Sequence, residues 1–264
     1  MDLDDSAVRQ GARLIAFDSI GSTNAEALRL GREGERGPLW IVAAQQTAGR
    51  GRRGSAWISE PGNLYASLML TNPSAPGRAA ELSFVAALAL SDALVREAAG
   101  LADRISLKWP NDVLIDGCKI AGILIEGENA GAVLVAVIGL GVNCAHHPAD
   151  THVPSTDLAA LGYALPPARL FRSLSATMAA RIAQWRGGEG FAPIRADWLR
   201  RAWRIGESIV VRLEGREMQG SFENLDERGR LVLRLSDGRC ELIAAGEIFP
   251  LGSMDPAAAA QGRA

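Results

Sequence analysis

Gln45–Trp57 reads QQTAGRGRRGSAW, and Gly49–Gly54 within it (GRGRRG) sets three glycines and three arginines in one short span. Glycine tolerates positive φ and lets its backbone N–H come close to a ligand. Arginine offers a planar fork of donors suited to phosphate or carboxylate. The span reads either as a solvated loop or loose nucleic-acid contact, or as a loop that closes over an anion. Its flanks bear on the choice. Leu39–Ala44 (LWIVAA) is apolar and β-branched, a buried strand leading into the loop. Gly49, Gly51 and Gly54 match G-x-G-x-x-G, but that dinucleotide fingerprint requires a helix directly behind it. The next residues are SAWISEPGNLYASLML, with a turn at Pro61-Gly62-Asn63 and a strand over Leu64–Leu70. Strand–loop–strand excludes a Rossmann unit, and no Gly-Lys-Ser/Thr makes a Walker A loop.

Upstream, residues 1 to 11 are polar and acidic and predict a frayed start, followed by a short strand at Arg13–Phe17. Thr23 and Glu26 form a T-x-x-E capping box, which predicts Thr23 as N-cap and a helix over Asn24–Leu30. Ser22, Thr23 and Asn24 then serve as caps, as polar ligand groups at a helix N-terminus, or as both. Downstream, Arg78–Ala99 carries apolar residues at helical spacing and predicts a helix closed by Gly100 as a C′ glycine. Ile105–Trp109 alternates as a strand, and Trp109-Pro110-Asn111-Asp112 breaks it. Val113–Ile115 and Cys118–Glu126 flank Asp116-Gly117, a strong two-residue hairpin signal. Period two puts Lys119 on the face of Ala121, Ile123 and Ile125. It either snorkels to the edge or points into a site and holds an anion. Gly122 beside it leaves room for a ligand or another backbone.

Ala132–Ile138 is a further buried strand. Asn143, in GLGVNC, either presents its amide to a ligand or caps the turn. Cys144, His146, His147 and His152 fit no standard zinc spacing. Pro166–Arg186 and Phe191–Arg204 predict two helices, with Trp185, Trp198 and Trp203 as packing residues. From Gly206 the texture changes to four or five short strands punctuated by Glu214-Gly215, Arg228-Gly229 and Asp237-Gly238. That pattern predicts a small second β domain. The Ala-rich stretch from Ser253 predicts disorder.

The 264 residues allow one large domain with one small one, and 48% hydrophobic residues suffice for a full core. Lys and Arg total 28 against 30 Asp and Glu, a net charge of −2, which argues against a dedicated nucleic-acid binder. Three dispersed cysteines without a CxxC or a signal peptide predict reduced thiols in a cytoplasmic protein. No apolar run approaches the ~18 residues of a membrane span.

The ordered series STNAEA, QTAGRGRRG, GNLYAS, KWPND, KIAGILIE and GLGVN, from Asp18 to Asn143, resembles the biotin protein ligases. The small C-terminal β domain also fits that family. The resemblance implies an α+β fold. Its catalytic domain, over 12–204, would be a mixed β-sheet with flanking helices, like that of class II aminoacyl-tRNA synthetases and biotin–lipoate ligases. An SH3-like β-barrel would follow over 206–251. It implies activation of biotin by ATP to biotinyl-5′-AMP, with Mg²⁺, and transfer to a lysine of a biotin carboxyl carrier protein. By position, Ser22, Thr23, Asn24 and Gln46 would line the biotin head. Arg50, Gly51 and Arg52 would lie in a loop folding over biotin and adenylate. Lys119 would hold the carboxylate and then the acyl phosphate. Lys119, Arg52 and Arg50 would be the catalytic set, and Trp57 and Asn143 would add contacts to adenine and phosphates. Lys108, Asn111 and Asp112 belong to the motif without separate roles, and no metal ligand is assigned. About seventeen residues precede the first motif, which suits the form without an N-terminal DNA-binding domain. No DNA or membrane partner is expected, and a homodimer is left open. A lipoate ligase of the same superfamily is the alternative.

Overall fold

The computed structural model describes residues 1–149 and 153–251. Seven strands form the main sheet: β1 (Arg13–Ile20), β2 (Leu39–Gln46), β3 (Leu64–Thr71), β4 (Ile105–Lys108), β5 (Asp112–Ile115), β6 (Cys118–Ala130) and β7 (Val133–Val142). Their order is β1-β2-β3-β7-β6-β5-β4. β1 and β2 run parallel, joined by the helix α2 (Thr23–Arg32), as a parallel pair needs a crossover. Every other neighbouring pair is antiparallel.

The central strands are covered on both faces, so they read as continuous apolar runs rather than as alternation. Leu39, Ile41, Met69, Val135 and Val137 pack with Ala27 of α2 on one face. Trp40, Val42, Leu68, Ile138 and Leu140 face the larger core on the other. That core holds α3 (Leu82–Glu97), α4 (Pro167–Trp185) and α5 (Phe191–Leu199). Trp40 meets Phe171 of α4 edge-on at 5.3 Å, and Phe84 of α3 meets Phe191 and Trp198 of α5.

The second sheet is antiparallel: β8 (Ser208–Leu213), β9 (Arg216–Leu225), β10 (Leu231–Arg234), β11 (Cys240–Ile243) and β12 (Glu247–Pro250), in the order β11-β10-β9-β8-β12. It is tied to the main body where Trp109 Nε1 donates to Gly229 O at 3.1 Å and Arg195 donates to Leu225 O.

Several local expectations are corrected. The N-terminal stretch is ordered into α1 (Asp5–Arg9), with Asp4 accepting from Ser6 N–H and Ala7 buried. The N-cap of α2 is Ser22, not Thr23, and the helix runs on to Arg32. α3 begins at Leu82 after a 3-10 turn over Pro76–Glu81. It ends because Ala98 turns extended, and Gly100 lies in a separate 3-10 turn. α5 stops at Leu199. β6 and β7 are longer than expected, turning at Gly131. As expected of packing residues, Trp185 and Trp198 lie in the core and the partly buried Trp203 packs against it. The stretch from Ser253 and His152 lie outside the described residues. No helix among the described residues is long and apolar enough to cross a membrane.

Candidate active site

The main cavity, about 640 Å³, opens between the N-terminus of α2, the loop after β2, the ends of β4 to β7, and the turn into β12. Ser22, Thr23, Asn24, Gln46, Arg50, Gly51, Arg52, Trp57, Lys119 and Asn143 all line it. The structure thus gathers the residues that the resemblance assigns to the site, together with Lys108, Asn111 and Asp112.

The floor is polar and hydrogen-bonded. Ser22 Oγ accepts from Ala25 N–H as the helix cap. Gln46 Oε1, at the end of β2, accepts from Thr23 N–H at 2.8 Å and from its hydroxyl at 3.0 Å. Gln46 Nε2 donates to Ser59 Oγ. Ser67 of β3, fully buried, lies 2.7 Å from Thr23 Oγ1 and 2.6 Å from Asn24 Oδ1. Asn24 Nδ2 donates to Glu126 Oε2 at 2.8 Å. Capping and cavity lining therefore coincide in one short stretch.

The opposite wall is cationic. Lys119, on β6 just past the Asp116-Gly117 turn, sits 2.8 Å from Asp112 Oδ1 as an ion pair. That carboxylate oxygen has no well-directed hydrogen-bond donor. Lys108 ends β4 with its side chain 2% exposed, 3.5 Å from Glu247 Oε1 and 4.8 Å from the Phe249 ring centroid. Burial pulls its ammonium below the ordinary value, with Lys119 adding to the effect and Asp112 and Glu247 opposing it. Arg52 donates to Asn111 Oδ1 at 3.3 Å and to Gly246 O at 3.1 Å. Burial, then Arg53, lowers its guanidinium, again against Asp112 and Glu247. Three crowded cations against two carboxylates leave an excess of positive charge that an entering anion relieves.

The loop closes on itself. Gly51 N–H donates to Ser55 O, Arg50 bridges to Ala56, and Trp57 N–H donates to Gly49 O. Arg50 lies 3.2 Å from Glu126. The Trp57 indole lies flush against the sheet: a Cβ at Gly141 would be 2.4 Å from the indole Cε2, and one at Gly122 3.0 Å from Cζ3. The room left by Gly122 is therefore taken by Trp57, whose ring centroid is 5.5 Å from Lys119 Nζ. Asn143 is held by Thr156 O at 3.1 Å, joining β7 to the segment behind it.

Glu126, Ser67, Gly246 and Glu247 were missed from the sequence. The first two sit inside strand patterns, and the last two come from the far sheet. No group of three His, Cys, Asp or Glu side chains suited to a metal occurs among the described residues.

Residues 16–143 match the biotin/lipoate A/B protein ligase family, and residues 205–249 match the biotin protein ligase C terminal domain. The chain is 45% identical to a biotin--[acetyl-CoA-carboxylase] ligase of Paracoccus denitrificans, over 86% of this chain and 96% of that one. A ligase of the same description from Mycobacterium tuberculosis is 34% identical over 88% of this chain and 86% of that one. In fold, the chain is similar to a biotin protein ligase from Aquifex aeolicus in complex with biotin and ATP. That match has a TM-score of 0.76 and 24% identity, and covers 90% of this chain and 97% of that chain.

Proposed function

Because the chain belongs to the biotin protein ligase family, we propose that its cavity takes biotin and ATP, forms biotinyl-5′-AMP, and passes the biotinyl group to a lysine of a biotin carboxyl carrier protein. The enzyme is an ATP-dependent biotin--[acetyl-CoA-carboxylase] ligase. The observation that carries the site reading is the facing of two chemistries across one cavity: a neutral polar floor on α2 and a cationic wall of Arg52, Lys108 and Lys119. A molecule with a neutral polar head and a carboxylate tail spans them.

In the first step a carboxylate oxygen of biotin attacks the α-phosphorus of ATP. The bond to the bridging oxygen breaks, and pyrophosphate leaves with the electron pair. Both reactants are anions, so their approach is opposed by charge repulsion. Lys119 neutralises the carboxylate and then the acyl phosphate, while Arg50 and Arg52 cover the phosphates. Stabilisation of developing charge and positioning carry this step. In the second step the carrier's neutral lysine amine attacks the acyl carbon of the mixed anhydride. AMP leaves, and the amine loses a proton. Ser22, Thr23, Asn24 and Gln46 hold the head throughout, and Trp57 and Asn143 lie on the nucleotide side. The loop over Gly49–Gly54 acts as a lid that keeps water from the anhydride. Mg²⁺ would accompany ATP and offset the charge of its phosphates. Asp112 and Glu247, the carboxylates lining the cavity, suit its habit of taking one or two carboxylates beside phosphate oxygens. Three free cysteines support a cytoplasmic location.

The test is pyrophosphate release by the purified protein with ATP and either biotin or lipoate, followed by mass spectrometry of a carrier domain. Biotin-dependent release and a biotinylated lysine are expected. Release with lipoate alone would overturn the reading in favour of a lipoate ligase.

A further inference from the structure

The geometry points to Glu126 as a positioning residue that couples the floor of the cavity to its lid. This inference rests on the ligase reading and concerns how the same site retains its intermediate. Glu126, on β6, is the one carboxylate lying against both parts among the described residues: Oε2 accepts from Asn24 Nδ2 at 2.8 Å, while Arg50 Nη2 lies 3.2 Å from Oε1 and 3.3 Å from Oε2.

The first contact sets the polarity of the floor. An amide can present either its oxygen or its nitrogen, but a carboxylate only accepts. Glu126 therefore turns Nδ2 of Asn24 toward β6 and Oδ1 toward Ser67. Ser67 has one proton for two oxygens, Asn24 Oδ1 at 2.6 Å and Thr23 Oγ1 at 2.7 Å. Oδ1 has no proton to give, so Ser67 donates to Asn24, and the Thr23 hydroxyl proton is taken by Gln46 Oε1. Thr23, which lines the cavity, then offers its remaining lone pair to the ligand. An oxygen that only accepts suits a head group bearing N–H donors, such as the ureido ring of biotin.

The second contact draws the Gly/Arg loop down. Arg50 and Glu126 are partly exposed, 46% and 28% by side chain. Their attraction is correspondingly modest, and the loop can still open. One carboxylate thus aligns the acid pocket and biases the lid shut, and disturbing either contact is felt at the other.

The experiment measures two quantities: the rate at which preformed biotinyl-adenylate escapes the enzyme, and the biotin KM. Both are read for wild type, Glu126→Ala, Arg50→Ala and the double variant. Partly exposed ion pairs of this kind predict escape about two- to five-fold faster for each single variant. Because the two residues act through one contact, the double variant should be no faster than the faster single. Glu126→Ala alone should also raise the biotin KM, since Asn24 loses its acceptor. Wild-type escape from Glu126→Ala, or effects that multiply in the double variant, would overturn the coupling. A purely structural role would lower the melting temperature without moving the escape rate, which also counts against it. If Glu126→Ala does not fold, Glu126→Gln, of the same size but uncharged, is read for escape instead: faster escape supports the coupling and wild-type escape overturns it. A wild type that forms no adenylate from biotin would sink the ligase reading itself. A wild type that does, with unchanged variants, sinks this inference alone.

Discussion

Gly139 lies in β7 with its α-carbon against Asn24, and Gly139→Ala should damage both stability and biotin recognition. A methyl group there would stand 2.2 Å from Asn24 Oδ1 and 2.8 Å from Cγ and Nδ2. Where nothing obstructs it, Gly→Ala in an extended strand stabilises by roughly 0.4–1 kcal/mol by restricting the unfolded chain. Here the obstacle reverses the sign. Asn24 is 5% exposed and is pinned at both ends, by Ser67 and by Glu126. If the strand yields, overpacking costs about 1–3 kcal/mol. If Asn24 yields, it loses a neutral hydrogen bond and one to a charged group, together on the order of 2–4 kcal/mol. The cheaper route bounds the net loss at about 1–3 kcal/mol, or a Tm lower by roughly 2–4 °C per kcal/mol for a chain of this size. Asn24 also lines the cavity. Its displacement should raise the biotin KM about tenfold, the equivalent of ~1.4 kcal/mol. The assay is a thermal melt with and without biotin, paired with biotin-dependent pyrophosphate release. Gly127→Ala on β6 is the control, because its methyl would make only a 3.5 Å contact with Val135 O. A Gly139→Ala protein that melts at or above the wild-type temperature with an unchanged biotin KM would refute the reasoning.

Lys119→Ala should reduce biotin-dependent pyrophosphate exchange about 100-fold or more, since the carboxylate loses its countercharge and Asp112 its ion-pair partner; exchange near the wild-type rate would remove Lys119 from the mechanism. Arg52→Gly detaches the loop from Asn111 and Gly246; it should still form adenylate but leak it, seen as biotin on bystander proteins, and a tight, selective variant would contradict the anchoring role. Lys108 titrates below its ordinary 10.5 because of burial, so between its folded and unfolded values the unfolded chain holds the extra proton and stability rises with pH. Replacing it by Met removes that contribution, so the Tm advantage of Lys108→Met over wild type should shrink as pH climbs toward 10.5; an advantage that grows would show the sign to be wrong.

Much of this architecture is legible in the chain because its causes are local. Asp116-Gly117 reads as a tight hairpin, and both residues do take positive φ, 51° and 77°. The absence of a helix after GRGRRG excludes a Rossmann unit, and β2 and β3 indeed pair antiparallel. Lys119 stands out by its charge, but period two puts it on the wrong face: a register shift between β5 and β6 sets its side chain beside Gly122, toward the cavity, whereas Ala121 and Ile123 face the core. The failures have equally definite causes. Ser22 and Thr23 can each cap a helix, and only the backbone decides: Ser22 is extended at φ −157°, leaving Thr23 inside the first turn. Ser67 and Glu126 look like ordinary strand residues until α2 is laid against them. Arg52 finds Gly246 across 194 positions, a pairing that no window along the chain contains. Gly122 of β6 and Gly141 of β7 likewise explain themselves only once Trp57 is folded down upon them.

The wall at Gly246 and Glu247 has a consequence for how the protein comes into being. Synthesis runs from the N-terminus, so the floor on α2, the loop and Lys119 all leave the ribosome well before β12. A nascent chain that has finished its seven-stranded sheet holds the acid-recognising half of the cavity but lacks the backbone carbonyl that grips Arg52 and the carboxylate beside Lys108. The lid has no anchor in the far sheet until that sheet arrives. On the proposed ligase reading, competence to retain a reactive anhydride is therefore among the last properties this chain acquires.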